Sequence, residues 1–573
     1  MKDARPQQIS DAAMVVAIAA LAGLGALVWL WGGVAGALFG QGWAHVEVGQ
    51  LPGVLQRLPG RLSNPALAWP AQVRSCLPGP AGFYCGLGLL LTTGATIVAV
   101  SARTRAWRVL RSRDPGARWA AAHELRALSP PLRLLVRDRT TERGGGRIVL
   151  GRLRGRPLRA EQRHALVAFG PPQSGKSAGL AVPALLEWGG PAVASSIKTD
   201  LLSATLRRRR ALGEVLIFDP FGLASTESQT WSPLFRARTW DGALEVAWRL
   251  ACAGEVDQRG VDGGDFWAIA AEQRLAPLLF VAARTGAGID SVVRWAYGQG
   301  NRELHESLAQ IAGEAADEER LADAHAAYDA VRAFEAQADR TRSSIEATAQ
   351  TLLRAYRSSR VARSARSSEI TADRLLDSAA TLYLIGDAKA SKLLRPIFLA
   401  LLSEVVDRAY ERATLAGGRL ERPLLLCLDE AGNVAPLPTL GEIASTAPSH
   451  NIQLISIFHD IAQARSRYGR QAETVINSHR ARMLLPGVAD LETLRYFAGL
   501  LGEEEASDLT RTTGPGGTTR STARRRRPLA AAESLRQLPD GCALLVYGRI
   551  PPTRVRLRMW FADRRLRRLA EAR

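Results

Sequence analysis

The chain has 573 residues, enough for more than one domain with a full core, and 47% of them are hydrophobic. Its formal charge of +20 points to an acidic partner, nucleic acid or anionic lipid. Only five of the 75 basic residues are lysine. An arginine surplus of this kind is what a GC-rich genome produces, so composition alone does not establish nucleic-acid binding. Cys76, Cys85, Cys252, Cys427 and Cys542 contain no C-x-x-C pair, which argues against a zinc ribbon and gives no disulfide framework for the bulk of the chain; Cys76 and Cys85 could pair only with both on an oxidising side, and all five read as structural.

No charged residue occurs from Ala12 to Ala44 or from Ser75 to Ala102, and each stretch exceeds the roughly 20 residues that cross a hydrocarbon core. The first is much longer than a signal-peptide core and a second follows it, which argues against a cleaved signal. A membrane anchor is therefore expected over residues 1–115, with spans at about 12–38 and 80–102 and a short external loop between them. Arg103, Arg105, Arg108, Arg111 and Arg113 follow the second span before any acidic residue. By the positive-inside rule that flank, and with two spans both termini, is cytoplasmic. The N-terminal flank, Lys2 and Arg5 against Asp3 and Asp11, carries little direction. Gly32, Gly36 and Gly40 recur on one helix face, a stripe that lets helices approach closely.

From Trp119 onward strands alternate with helices, the pattern of an α/β domain with a largely parallel sheet. The runs "ALVAF", "PAVASSI", "EVLIF", "TLYLIG", "PLLLCLD", "IQLISIF" and "ARMLLPG" read as strands. The first leads into "GPPQSGKS", which fits G-x-x-x-x-G-K-[ST] between a strand and a helix. In that context Gly170, Pro171, Pro172, Gln173, Ser174, Gly175, Lys176 and Ser177 form a phosphate cradle, closed by backbone N–H groups and a helix N-terminus. Lys176 reaches the β- and γ-phosphates of ATP, and the Ser177 hydroxyl helps hold Mg2+. "RPLLLCLDEAGN" ends a buried strand at Asp429 and Glu430. Asp429 is expected to hold Mg2+ and Glu430 to orient and deprotonate the attacking water.

Lys176 and Asp429 stand much further apart in the chain than a compact nucleotide domain requires. Residues 239–376 show little strand signal and long helical periods, with Asp265 as an expected N-cap. We read an all-α domain inserted between two halves of the nucleotide domain, 116–238 and 377–573. The second half carries a flexible basic loop, "TTGPGGTTRSTARRRRP", two strand-like runs, "CALLVYGRI" and "RVRLRMWF", and a basic C-terminal tail. The runs Arg207–Arg210 and Arg524–Arg527 are candidates for phosphate contact.

With two N-terminal spans, "GARWA", "FGPPQSGKSAGLAVPALLEW", "SIKTDL", "VLIFDPFG", "DFWAIAA", "LLLCLDEAGNVAPLPTLGEIAST" and "LPDGCALLVYGRIPP", the chain resembles the type IV secretion coupling proteins, the TraG/TraD-like ATPases of bacterial conjugation. The resemblance implies a RecA-like α/β domain in a homo-hexameric ring, anchored as a multi-pass protein of the inner membrane. It implies an ATPase that recruits a relaxase–single-stranded DNA complex and passes it to the channel components of the secretion system. The family's sensor glutamine after the Walker B strand is His459 here, and Pro448 stands near the family's arginine finger, leaving Arg467 and Arg470 as substitutes. Two other readings stay open: an FtsK-type double-strand DNA translocase, and a receptor for secreted proteins that uses nucleotide only for assembly.

Overall fold

The computed structural model describes the backbone of residues 7–112, 116–129, 147–162, 164–258, 264–514 and 517–572, with side chains described outside 7–22, 98, 100–112, 254–267 and 507–524. Lys2, Asp3, Arg5 and Arg113 lie outside the described residues, as do the side chains of Asp11, Arg103, Arg105, Arg108, Arg111, Asp265 and Arg524. Two compact units are present, Met1–Pro115 and Gly116–Arg573.

In the first unit, helices Gln7–Phe39 and Pro80–Ser112, 33 residues each, flank a stretch of short helical turns. Among the described residues, one helical stretch is long and apolar enough to cross a membrane, Pro80–Ile97, with a mean hydropathy of 1.2; the apolar stretch Gly23–Phe39 is shorter. Trp31, Trp69 and Phe83 pack edge to face at the centre, with the Trp31 indole N–H donating to the Phe83 carbonyl at 2.7 Å. The glycine stripe serves this packing rather than a second helix. A Cβ on Gly32 would strike the Trp69 indole, and on Gly36 or Gly40 it would strike the carbonyl of Gly42 or Cys76. The two long helices approach each other at Gly86 instead, where a Cβ would stand 3.0 Å from Ala35.

The second unit is built on an 11-stranded mixed sheet. Its strands are β1 (Val149–Leu153), β2 (Arg156–Arg159), β3 (Leu166–Phe169), β4 (Ala192–Ser196), β5 (Val215–Phe218), β6 (Thr381–Ile385), β7 (Leu424–Leu428), β8 (Ile452–Phe458), β9 (Ala481–Leu484), β12 (Cys542–Tyr547) and β13 (Ile550–Arg556). They run in the order β2-β1-β13-β12-β9-β3-β8-β7-β4-β6-β5. The seven strands from β9 to β5 are parallel and correspond to the seven apolar runs read from the sequence. Burial on both faces requires such continuous apolar runs. At the other edge β12, β13, β1 and β2 pair antiparallel. β1 and β2 were not anticipated: "VLGRLRGRPLR" is rich in Arg and Gly, and its hairpin turn is made by Arg154 and Gly155 at positive φ.

The basic segment expected to be a loop is a two-stranded ribbon, β10 (Glu503–Gly514) with β11 (Gly517–Pro528). Acidic residues on one strand face arginines on the other: Glu504 is opposite Arg527, 2.8 Å apart, and Glu505 is opposite Arg526. Such cross-strand charge pairing is a stabilising pattern that a reading of either segment alone does not show.

Between β5 and β6 the described residues form helices and turns, from Trp240–Gln258 to Ala372–Leu376. Helix Gly264–Thr285 takes Asp265 into its first turn instead of leaving it at the cap. These helices share one core with a face of the sheet, in which Phe218, Trp231, Leu250, Leu279 and Phe398 are buried together. Polar links hold the same boundary: the Trp231 indole donates to Glu404 at 3.0 Å, and Arg249 pairs with Asp407 at 2.9 Å.

Candidate functional site

β3 ends in the loop 170–176, whose sharp reversal needs positive φ at Gln173 (+67°) and Gly175 (+86°). A side chain at Gly175 would also collide with Met559. The helix that follows opens with a π turn, Ser177–Ala181, before Val182–Glu187. Pro183 has no N–H to continue this spacing. The Ala178 carbonyl accepts instead from Trp560 N–H at 3.0 Å, which draws the C-terminal segment against the loop. Arg558 secures that segment through buried pairs with Glu187 and Asp563, both 2.8 Å.

β7 delivers Asp429 and Glu430 at the same end of the sheet, and β8 delivers His459. Ser177 Oγ donates to Asp429 Oδ2 at 2.5 Å. Lys176 Nζ pairs with Glu430 Oε1 and lies 3.4 Å from His459 Nε2. Glu430 Oε2 accepts from His459 Nε2 at 2.6 Å and from Asn433 Nδ2 at 2.8 Å. Gln463 Oε1 accepts the His459 backbone N–H at 2.8 Å. Glu430 itself sits at φ +66°, a conformation that costs a non-glycine residue about 1–3 kcal/mol and that clusters at functional sites.

The two adjacent carboxylates titrate in opposite directions. Burial pushes Asp429 up to about 6, only partly offset by the Ser177 hydroxyl. Burial also pushes Glu430 up, but its hydrogen bonds from His459 and Lys176 prevail and bring it down to about 2. Asp429 Oδ1 and Ser174 Oγ are buried with no partner among the described residues. Orphaned oxygens beside a lysine and a phosphate-loop backbone suit a hydrated divalent cation and a phosphate chain.

These groups line a cleft of about 620 Å3. Of the residues expected from the sequence, Pro172, Gln173, Ser174, Gly175, Lys176, Ser177, Asp429, Glu430 and His459 line it. Gly170 and Pro171 stand behind it, with Gly170 N–H bonded to the Phe458 carbonyl at 3.0 Å. Arg467 and Arg470 do not line the cleft of their own chain. Sequence reasoning missed Lys198, at the end of β4, and Asp540, Met559 and Phe561 from the C-terminal segment. Lys198 lay within the quoted "SIKTDL", Asp540 within "LPDGCALLVYGRIPP", and Met559 and Phe561 within "RVRLRMWF"; nothing local ties the last three to the cleft, because the chain's fold-back brings them in. Within the run Arg207–Arg210 the phosphate-contact expectation needs correction at Arg209, while Arg207 and Arg210 are exposed. Arg209 is fully buried, and its guanidinium donates to Thr381 and to the carbonyls of Trp188, Gly190 and Ala379.

The chain is 27% identical over 359 residues to conjugal transfer protein TraG of Escherichia coli, a match covering 59% of this chain and 55% of the relative. The chain thus spans about half the length of that relative. It is 23% identical over 515 residues to VirD4 of Agrobacterium fabrum, covering 85% and 72%. Among solved structures, the unbound conjugative coupling protein TrwB superposes with a TM-score of 0.57 at 19% identity, covering 78% of this chain and 93% of that one. TrwB in complex with ADP and Mg2+ gives 0.54 at 17%, covering 78% and 94%. These structural likenesses establish a TrwB-like α/β fold, which fits a RecA-like nucleotide-binding domain. The family model for type IV secretory system conjugative DNA transfer matches residues 118–572, and the chain belongs to that family.

Proposed function

We propose that this chain is a membrane-anchored ATPase that couples a relaxase–single-stranded DNA complex to a type IV secretion channel. The observation that carries the reading is the convergence of Lys176, Ser177, Asp429 and Glu430 in one cleft at the C-terminal edge of parallel strands, where ligands of open α/β sheets bind. Family membership and the TrwB complexes with ADP and Mg2+ or an ATP analogue support ATP and Mg2+ as its ligands. Ser177 Oγ and Asp429 would hold Mg2+, which when bound neutralises charge across the β- and γ-phosphate oxygens.

Glu430 and Lys176 form a mutual lock. While Lys176 and His459 donate to it, Glu430 is a carboxylate too weakly basic to take a proton from water. A triphosphate competes for Lys176, and its departure leaves burial to raise the basicity of Glu430. His459 keeps its hydrogen bond and holds the carboxylate in place. The helical segment 239–376 then serves as a cytoplasmic domain for the DNA-processing complex. Residues 1–115 form a two-span anchor in the inner membrane with both termini inside, and the working form is a homo-hexamer.

Lys176→Ala is expected to weaken nucleotide binding and abolish transfer. Glu430→Gln is expected to keep ATP bound while lowering turnover by roughly 10²–10⁴-fold. Turnover measured beside equilibrium nucleotide binding separates the two. Near-normal hydrolysis by Glu430→Gln would remove that residue from the chemistry.

A further inference from the structure

A second and larger cleft, about 950 Å3, opens along the same C-terminal strand edge beyond the nucleotide site. It lies where β5 and β6 end, between the start of helix Ala388–Leu415 and the helical segment at Asp339–Leu353. Phe221, Leu352, Leu393 and Pro396 give it an apolar floor, and Arg354, Arg360, Lys389 and Lys392 give it four cations. Among the described residues its one carboxylate, Asp387, is engaged as the helix cap, accepting from the backbone N–H groups of Lys389 and Ala390 at 3.0 and 2.7 Å. Among the described residues, no carboxylate lies within ion-pair distance of Lys389, Lys392, Arg354 or Arg360, although the chain's exposed arginines are widely paired. Among the described residues the Arg360 side chain makes one hydrogen bond, donating to the Phe221 carbonyl at 3.3 Å.

The lysines add an independent signal. This chain uses arginine almost everywhere, and five lysines remain. Lys176 and Lys198 line the nucleotide cleft, and Lys389 and Lys392 line the second. Every lysine among the described residues therefore belongs to one of two clefts. Where composition drives basic positions to arginine, a retained compact ammonium marks a place that uses it as a point charge on phosphate.

We infer that this second cleft binds phosphodiester groups of single-stranded DNA. This inference rests on the conjugative reading above. Unpaired cations over an apolar, partly aromatic floor are the elements that hold single strands, with phosphates on the rim and a base against the floor. The volume suits a short run of nucleotides, and the site lies on the same C-terminal strand edge as the nucleotide cleft.

The test uses the full chain in zwitterionic-lipid nanodiscs and measures oligo(dT) affinity against salt, with ATP binding followed in the same preparations. Lys389→Gln/Lys392→Gln is expected to make the log-affinity versus log-salt slope shallower by about 1.4, two lost single-strand contacts at about 0.7 each, with ATP binding unchanged. A charge-matched control, Arg340→Gln/Arg419→Gln, removes two exposed arginines that line neither cleft and should leave the slope intact. An unchanged slope in the lysine variant, or an equal loss in the control, overturns the cleft. Loss of ATP binding with oligonucleotide binding intact would make it a free-nucleotide site and overturn it too. Polyglutamate binding, followed as a third probe, separates an acidic protein: its loss in the lysine variant with oligonucleotide binding intact would overturn the cleft as well. A wild-type chain that binds no oligonucleotide overturns the conjugative reading itself.

Discussion

Arg209 and His479 show how poorly residue type alone predicts role in this chain. Arg209 belongs to a run of four arginines, yet it is the one that the fold consumes, tying β6 to the ends of the preceding elements from a fully buried position. His479 is also fully buried, with Nδ1 against the Val475 carbonyl at 2.7 Å and Nε2 against Ser456 Oγ at 3.0 Å. Burial brings its pKa down to about 4, whereas an unfolded histidine titrates near 6.5. Above about pH 6.5 both states are neutral and the full stability is present. As pH falls toward 4 the unfolded state binds a proton that the folded state refuses. Stability should then fall by up to about 1.4 kcal/mol per pH unit, or about 3 kcal/mol in all. Urea midpoints at several pH values between 7.5 and 4.5 would show this slope in the wild type and a shallower one in His479→Gln. Identical slopes would remove His479 as the titrating group.

Elements were legible in proportion to how much of their stability is local. The seven parallel strands appear in the sequence because burial on both faces forces unbroken apolar runs, and the phosphate loop appears because its turn requires glycine at +86°. The β1–β2 hairpin and the β10–β11 ribbon did not, since their strands are polar and owe their pairing to a partner further along the chain. The same blindness hid Met559 and Phe561, which reach the nucleotide cleft through a hydrogen bond to Ala178 that Pro183 leaves available. The ribbon's strands pair only with each other, apart from the main sheet. Replacing residues 507–524 by Asn-Gly, which keeps the Ala506–Arg525 register, should therefore move the melting temperature by less than about 4 °C. A fall of more than about 10 °C would mean that the ribbon supports the body of the protein.

For the whole molecule the decisive question is direction across the membrane, because a nucleotide site works only on the side that holds ATP. Two independent lines agree. Five arginines, Arg103 to Arg113, follow the apolar stretch Pro80–Ile97 before any acidic residue, an asymmetry that in the proposed anchor would retain this flank in the cytoplasm. The phosphate loop and its carboxylates lie in the unit that begins at Gly116, immediately after that flank. The turn-rich stretch between the two long helices, packed around Trp69, would then face outward. All five native cysteines are free and can be replaced without breaking a disulfide. In that background, Ser63→Cys should react with a membrane-impermeant thiol reagent in cells whose outer layer has been permeabilised. Ser112→Cys, at the end of the second long helix, should react only after the inner membrane is opened as well. Labelling of Ser112→Cys in intact inner membranes would invert the proposed topology and place the nucleotide cleft on the side without ATP. Equal protection of both positions would mean that the chain does not carry its turn-rich stretch across the bilayer, which would dismiss the two-span anchor while leaving the nucleotide cleft untouched.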